Sequence, residues 1–242
     1  MQDNNSSRII ETLSISFGIF FTAVVLPRLL IDGGTLKIAT TQALELILSL
    51  GAILVVGRGD FIAYGFCRPA RDPYGRIQWL VPVLVAPVVG AAASILTLAC
   101  GGSGNPTAKQ MTLPEIILFI WILSSTIEEL FTRGFLQSHL GPMNGRRIHF
   151  LFWHIELPAF ISAVFFAAMH LVLLFAGVDA VTMITVLLFT FTIGLLAGHT
   201  RAGTGSLYPA IGVHMLGNVG GMIGGILYSV YTVLSGGRLP GL

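Results

Sequence analysis

The stretch Pro114–Leu136 reads PEIILFIWILSSTIEELFTRGFL. About 20 mostly apolar residues in a helix suffice to cross the hydrocarbon core of a bilayer, so this stretch has the length of a membrane span. Its second half nevertheless carries Glu128, Glu129 and Arg133. A charged side chain at the centre of a spanning helix costs roughly 2.5–3.5 kcal/mol on insertion scales. The stretch therefore predicts a helix inside a membrane bundle, with its charges facing a functional site.

The composition extends this prediction to the whole chain. Of its 242 residues, 54% are hydrophobic and only 10% are charged, and the mean hydropathy is +0.85. Soluble domains carry about 25% charged residues, so this chain has too few charges to cover a water-exposed surface. The net charge of +2 and the lack of a basic run argue against a nucleic-acid partner. The expected surrounding is the lipid bilayer.

Seven apolar segments have the length of a membrane span. They are Ile9–Leu30, Ile38–Val56, Trp79–Ala99, Pro114–Leu136, Pro158–Gly177, Ala180–His199 and Leu207–Leu234. The first lacks a small-residue cleavage site, so we expect it to be retained. The sequence thus predicts an all-α fold, a polytopic transmembrane helix bundle of about seven spans in one domain, residues 1–242. The polar stretch Gly57–Gln78 is expected to form an extra interfacial helix with a loop, or a plain loop.

The seventh segment is rich in glycine. Gly217 and Gly221 are one helical turn apart, and so are Gly220 and Gly224. Small residues at this spacing allow two helices to approach closely in lipid. We therefore expect the seventh span to pack tightly against a neighbouring helix.

The basic residues favour one orientation in the membrane. With the N-terminus inside, the inner side carries Arg8, Arg58, Arg68, Arg71, Arg76, Arg133, Arg146, Arg147 and Arg201, and the outer side carries Arg28, Lys37, Lys109 and Arg238. Cytoplasmic loops carry an excess of Lys and Arg, so nine residues against four predict the N-terminus in and the C-terminus out.

The charges of the fourth segment divide into a pair and a single carboxylate. Arg133 follows Glu129 by four residues, so the two share a helix face and can form an ion pair. Glu128 points about 100° away and is expected to have no charged partner in its own helix. For Glu129 and Arg133 the favoured interpretation is a salt-bridged helix end at the membrane surface; for Glu128 that is the alternative.

Two further apolar segments carry histidine. His170 lies well inside the fifth segment, and His214 and Asn218 lie one turn apart on one face of the seventh. Histidine and asparagine can both donate hydrogen bonds, which an oxyanion requires. The alternative for each is polar packing between helices.

These motifs resemble those of the CPBP family, which comprises the type II CAAX prenyl endopeptidases, bacteriocin-processing and immunity proteins, and bacterial proteases called myxosortases. The matching stretches are Glu128-Glu129-x-x-x-Arg133, Phe166-x-x-x-His170 and His214-x-x-x-Asn218, with Thr204-Gly205-Ser206-Leu207 before the third. The resemblance covers about residues 114–221, with all three motifs in order.

The resemblance implies a helical bundle with a conical cavity, and an intramembrane endopeptidase that works without a metal. It implies that Glu128 and His170 activate the attacking water and that His214 and Asn218 stabilise the oxyanion. The motif residues with a supporting, structural role are Glu129, Arg133 and Phe166. No cofactor is expected. One Glu and two His could also bind zinc, which we keep as the minority interpretation because no helix carries two ligands at the spacing of soluble zinc proteases.

The expected substrate is a membrane-anchored or lipid-modified peptide or protein tail, and the expected location is a prokaryotic inner membrane. The predicted topology places Glu128 and His214 near the inner ends of their spans. His170 lies deeper, about 18 Å along the helix from Pro158. The oligomeric state stays open.

Two non-proteolytic functions use the same residue types. A transporter could pass protons along Glu128, His170 and His214, although no internal repeat supports this. An immunity or scaffold protein could bind a peptide without turnover. A protease loses its activity on mutation of Glu128, whereas a binding protein can keep its partner.

Overall fold

The computed structural model of the chain describes residues 2–31, 34–70, 79–104, 106–143, 145–150 and 153–236. In chain order, its helices are α1 (Gln2–Phe20), α2 (Leu26–Leu30), α3 (Gly34–Val55), α4 (Leu80–Ala99), α5 (Pro106–Lys109), α6 (Leu113–Glu115), α7 (Ser125–Glu129), α8 (Leu157–Met169), α9 (Ala180–Thr204) and α10 (Leu207–Leu234). π-helical residues Phe21–Val25 join α1 to α2, and the 3-10 residues His170–Ala176 extend α8.

Among the described residues, six continuous helical stretches are long and apolar enough to cross a membrane. They are Asn5–Leu30, Gly34–Val55, Leu80–Ala99, Leu157–Ala176, Ala180–Thr204 and Leu207–Leu234. These stretches match six of the seven predicted spans to within a few residues. The predicted all-α, polytopic membrane fold is confirmed, and the chain is an integral membrane protein.

The predicted fourth span differs from the others in composition. It is helical throughout residues 113–137, through α6, the π-helical residues Ile116–Ser124, α7 and the π-helical residues Leu130–Gln137. Every 18-residue window within 113–137 contains three charged residues. This stretch therefore does not qualify as a membrane span on hydropathy and charge alone. Its last eight residues, Leu130–Gln137, are all buried, so this end of the helix lies inside the bundle.

A short β-hairpin departs from the predicted all-helical chain. Strand β1 (Arg147–Phe150) pairs antiparallel with β2 (Trp153–Glu156), with Ile148 opposite Ile155. Ile155 is buried against Ala159, and Ile148 packs on the same cluster. The isoleucines alternate with polar residues at the two-residue period of a strand, a pattern too short to stand out beside the long apolar segments.

The stretch predicted as an interfacial helix or loop proves to be a loop where the structure describes it. Residues 57–70 form a series of turns without a helix, while 71–78 lie outside the described residues. Arg58, Gly59 and Gly65 have positive φ angles, which interrupt any helix there. The loop is fixed to the bundle, since Leu207 N donates to Gly65 O.

Helices α4 and α10 approach closely through the predicted glycine face. A Cβ on Gly220 would lie 2.1 Å from Pro87 O, and one on Gly90 would lie 2.0 Å from Gly217 O. Backbone therefore lies directly against backbone at this crossing, as expected for small residues in a membrane bundle. The contact fixes the position of α10, which carries His214 and Asn218.

Candidate active site

Glu128 lies near the middle of the helix that spans residues 113–137, deeper than the expected inner end. Its carboxylate accepts a hydrogen bond from the Ser124 hydroxyl, one turn earlier in the same helix. The side chain is 18% exposed and lies 3.9 Å from His214 Nε2 on α10, measured from Glu128 Oε2. As expected, no cation of its own helix pairs with Glu128, but a hydroxyl does.

Glu129 and Arg133 form the ion pair that their spacing predicts. Arg133 Nη1 lies 2.9 Å from Glu129 Oε1, and both side chains are fully buried. The same Nη1 donates to Thr132 Oγ1, and the guanidinium carbon lies 4.6 Å from the centre of the Phe166 ring. Gly194 on α9 leaves the space that Arg133 occupies, because a Cβ there would lie 2.9 Å from Nη2.

His214 connects the two glutamates. Its Nδ1 lies 3.1 Å from Glu129 Oε1, while its Nε2 faces Glu128. A carboxylate only accepts hydrogen bonds, so Nδ1 carries the proton and Nε2 is left for Glu128 or a ligand. The sequence indicated the ion pair of Glu129 with Arg133 but not this second partner, because His214 lies 85 positions away in the chain.

His170 is oriented in the same way. It ends α8, and its Nδ1 lies 2.8 Å from the carbonyl oxygen of Phe166. Nδ1 is therefore the donor, which leaves Nε2 with a free lone pair in the neutral ring. The Phe166 ring stands edge-on to both imidazoles, with its centroid 4.9 Å from that of His170 and 5.2 Å from that of His214. Phe166 thus sets the spacing of the two histidines.

Asn218 lies one turn after His214, but its amide bonds elsewhere. Nδ2 donates to Ser125 Oγ at 3.1 Å, and it also lies 3.4 Å from Ile120 O. Asn218 lines a cavity of about 170 Å³ between α4, α9 and α10, whose walls include Gly90, Thr185 and Phe189. Glu128, His170 and His214 do not line that cavity. The structure therefore brings Glu128 and His214 together, with His170 beside them, and ties Asn218 to α7 through Ser125.

A comparison with protein families matches this part of the chain. The family described as type II CAAX prenyl endopeptidase Rce1-like matches residues 110–220, which include all three motifs. Residues 110–220 belong to this family. The chain is accordingly a CAAX-type membrane protease, a hydrolase. No curated protein and no solved structure gives a significant match to the chain.

Two charged residues of this protease lie near Glu128 but outside the matched segment. Glu45 on α3 and Arg28 on α2 lie within electrostatic range of each other and of Glu128. Glu45 is 3% exposed. The motifs do not include either residue, although a single glutamate in the apolar stretch Gly34–Val55 was a signal available in the sequence.

The described residues of the protease offer no ready metal site. Within the described ranges, no three His, Cys, Asp or Glu side chains are grouped so that they could hold one metal ion. The two motif histidines both use Nδ1 for a hydrogen bond inside the protein, and Nε2 of each is left for other partners.

Proposed function

We propose that this protein hydrolyses a peptide bond in a membrane-anchored or lipid-modified protein tail, with water activated by Glu128 and His170. The observation that supports this best is the contact between Glu128 and His214 in the bundle interior, 3.9 Å between Oε2 and Nε2. A carboxylate and an imidazole at this distance can both contact one water molecule.

The attacking group is water rather than a side chain. The Ser124 hydroxyl donates to Glu128 and so holds the carboxylate in place. Glu128 takes one proton from the water, and the hydroxide oxygen bonds to the carbonyl carbon. The C–N bond then breaks, and the nitrogen leaves as an amine with the proton that Glu128 held. The products are a carboxylic acid and an amine, so no oxidant or co-reactant is needed.

His170 holds the water through Nε2, the ring nitrogen opposite the one that bonds to Phe166. Because Nδ1 donates to Phe166 O, Nε2 accepts a hydrogen bond from the water. The ring cannot turn easily, since it stands edge-on against Phe166. His170 therefore orients the water and leaves Glu128 as the group that takes the proton.

His214 and Asn218 stabilise the oxyanion. With Nδ1 donating to Glu129, His214 offers a proton from Nε2 in its imidazolium form, with Glu129 as counter-ion. Asn218 Nδ2 would exchange its hydrogen bond to Ser125 for one to the oxyanion. Removal of one such donor lowers rates about 10²- to 10³-fold in other hydrolases.

The proposed reaction needs no metal, because neutral and cationic hydrogen-bond donors stabilise the oxyanion. Peptide hydrolysis by the purified protein should therefore persist in excess chelator. Activity is measured with and without the chelator, and again after addition of zinc. Loss of turnover on chelation, restored by zinc, would assign the chemistry to a metal-bound water instead.

The position of the site supports the proposed substrate class. Glu128 lies about 22 Å along its helix from Leu113, so the scissile bond must enter the bundle interior. A peptide held at the membrane by a lipid or an anchor reaches such a site readily, and the matched family is described as prenyl endopeptidases. We place the protein in a prokaryotic inner membrane.

The substrate can be found by comparing membrane proteins from cells with the wild type and with Glu128→Ala. We expect one or more proteins to keep a C-terminal tail in the variant that the wild type removes. The variant must be present in the membrane in equal amount. Identical tails in both cell types, with equal amounts of enzyme, would contradict a proteolytic function that uses Glu128.

A further inference from the structure

The buried face of α3 is polar, although the helix lies in an apolar span. Its buried residues are Gln42, Glu45, Ser49 and Ile53, which follow one another by three or four positions. This spacing puts them on one side of the helix. The first three have 8% exposure or less. On the other side of α3, Ile47 is 63% exposed and so faces the surroundings of the bundle.

Each polar residue of this face has a buried atom without a partner among the described residues. These atoms are Gln42 Oε1, Glu45 Oε1 and Ser49 Oγ. A buried polar atom without a hydrogen bond costs about 1–3 kcal/mol. Lipid cannot supply the bond. Three such atoms on one helix face therefore require partners that are small, polar and able to enter the bundle, which describes water.

The polar face of α3 is directed toward the helix that carries Glu128. Gln42 Nε2 donates to Phe119 O at 2.6 Å, which ties α3 to the start of that helix. One turn further along α3, Glu45 lies within electrostatic range of Glu128 and of Arg28. Two charged groups, Arg28 on α2 and Glu45 on α3, thus lie near the proposed base on α7.

We propose that Gln42, Glu45 and Ser49 hold ordered water inside the bundle, and that Glu45 positions the water next to Glu128. The first half of this proposal concerns hydration only. The second half rests on the proposed function, because it takes Glu128 as the base. Hydrolysis consumes one water in each turnover, and a hydrated face beside Glu128 would replace it from within the protein.

The hydration is measured by water-edited solid-state NMR of the protein in lipid bilayers. We expect magnetisation from water protons to reach Glu45 and Ser49 about as fast as it reaches loop residues. Ile47 is the matched control, since it lies at the same depth on the opposite face and should receive magnetisation several times more slowly. Equally slow transfer to all three residues would overturn the proposal.

The positioning role is measured by steady-state kinetics of Glu45→Gln, which nearly preserves shape. We expect kcat to fall about 10- to 100-fold with KM within about twofold, since a misplaced reactant slows the chemical step. Glu11→Gln, on an exposed position of α1, makes the same chemical change and should leave both constants unchanged. Ser49→Ala, which removes one water partner, should also lower kcat.

The two halves fail separately. Normal kcat in Glu45→Gln together with fast water transfer would overturn the positioning role and leave the hydrated face. Normal turnover in Glu128→Gln would instead contradict the proposed function, and the NMR result would be independent of it. Melting temperatures of all variants in detergent identify any loss of folding.

Discussion

At the scale of single residues, one oxygen of Glu129 has two partners. Oε1 lies 2.9 Å from Arg133 Nη1 and 3.1 Å from His214 Nδ1. Arg133 also has two buried nitrogens, Nε and Nη2, without partners among the described residues. The ionised Glu129 carboxylate therefore balances a buried guanidinium and orients a proposed catalytic ring at the same time. Its role extends beyond the structural support that the sequence indicated.

Substitutions of the adjacent glutamates should separate turnover from stability. Glu128→Gln should keep the melting temperature near that of the wild type, because it breaks no buried ion pair. It should lower kcat at least about 10²-fold, because it removes the proposed base. Glu129→Gln should lower the melting temperature, since a buried charge that loses its partner costs about 3–5 kcal/mol. Both quantities are measured on purified protein in detergent.

Arg133→Gln is the matched control, because it breaks the same ion pair from the other side. It should lose stability as Glu129→Gln does. One result would identify Glu129 rather than Glu128 as the base. It is near-normal turnover in Glu128→Gln together with loss of turnover, but not of stability, in Glu129→Gln. Full turnover in both glutamate variants would remove the main support for the proposed mechanism.

At the scale of helices, the crossing of α4 and α10 holds His214 and Asn218 against the 113–137 helix. A Cβ on Gly220 would lie 2.1 Å from Pro87 O, and backbone atoms cannot move as a flexible side chain can. Gly220→Ala should therefore force the helices apart and destabilise the protein by about 1–3 kcal/mol. The unfolding free energy in mixed micelles gives the measurement.

Gly212 provides the control on the same helix. A Cβ there would meet nothing within 4 Å, so Gly212→Ala should be neutral or stabilise α10 by up to about 1 kcal/mol. If Gly220→Ala proved as stable as Gly212→Ala, the close approach of α4 and α10 would be contradicted.

The start of α9 should make stability depend on acidity. Asp179 caps this helix and accepts hydrogen bonds from the hydroxyl and backbone N–H of Ser103 and from Thr182 N. These bonds, with the Ser103 hydroxyl first, hold the pKa of Asp179 well below its ordinary 3.8. The stabilisation is therefore complete above that value and is lost as the pH falls below it.

Asp179→Ala should accordingly lower the melting temperature at pH 6, and the difference from the wild type should shrink as the pH falls below 4. Asp179→Asn keeps an N-cap residue without the charge. At pH 6 it should therefore lower the melting temperature less than Asp179→Ala does. A difference between wild type and Asp179→Ala that stays constant down to pH 3 would show that the ionised carboxylate adds nothing.

Local spacing in the sequence predicted much of this architecture, whereas it could not predict contacts between distant segments. Apolar length located six spans, and the i, i+4 rule located the Glu129–Arg133 pair. The same rule would also have placed Ser124 on Glu128. The contact of Glu129 with His214, and the approach of Glu45 to Glu128, depend on how helices pack, which no local pattern records. The Asn218 amide likewise found Ser125 on another helix.

At the scale of the whole molecule, hydrogen bonds define two ends of the bundle. At one end, Arg8 Nε donates to His139 O, and Arg201 donates to Ala63 O and to Ser138 Oγ. At the other end, Thr35 donates to Glu115, and Ser103 to Asp179. The 113–137 helix therefore runs from one end to the other, as a seventh span would, because Glu115 and His139 lie at opposite ends.

The charges at these ends sharpen the predicted orientation. Arg133 is buried in an ion pair, and the half-buried Arg28 lies within electrostatic range of Glu45 and Glu128, so both have acidic neighbours inside the bundle. Without these two residues, the predicted inner side carries eight basic residues and the outer side three, so the positive-inside bias persists. Of the remaining residues, Arg71, Arg76 and Arg238 lie outside the described residues. The predicted inner-side residues Arg8 and Arg201 do share one end.

Reporter fusions should therefore give a definite pattern. We expect a reporter after Arg58 and one after Arg146 to be cytoplasmic, and one after Leu242 to be external, since three spans separate Arg146 from Leu242. Each fusion is assayed with a pair of reporters, one active only inside and one active only outside. Arg58 and Arg146 on opposite sides would mean that the charged 113–137 helix does not cross. The reverse result at all three sites would invert the bundle and place the end with Arg8 and His139 outside, against the positive-inside bias.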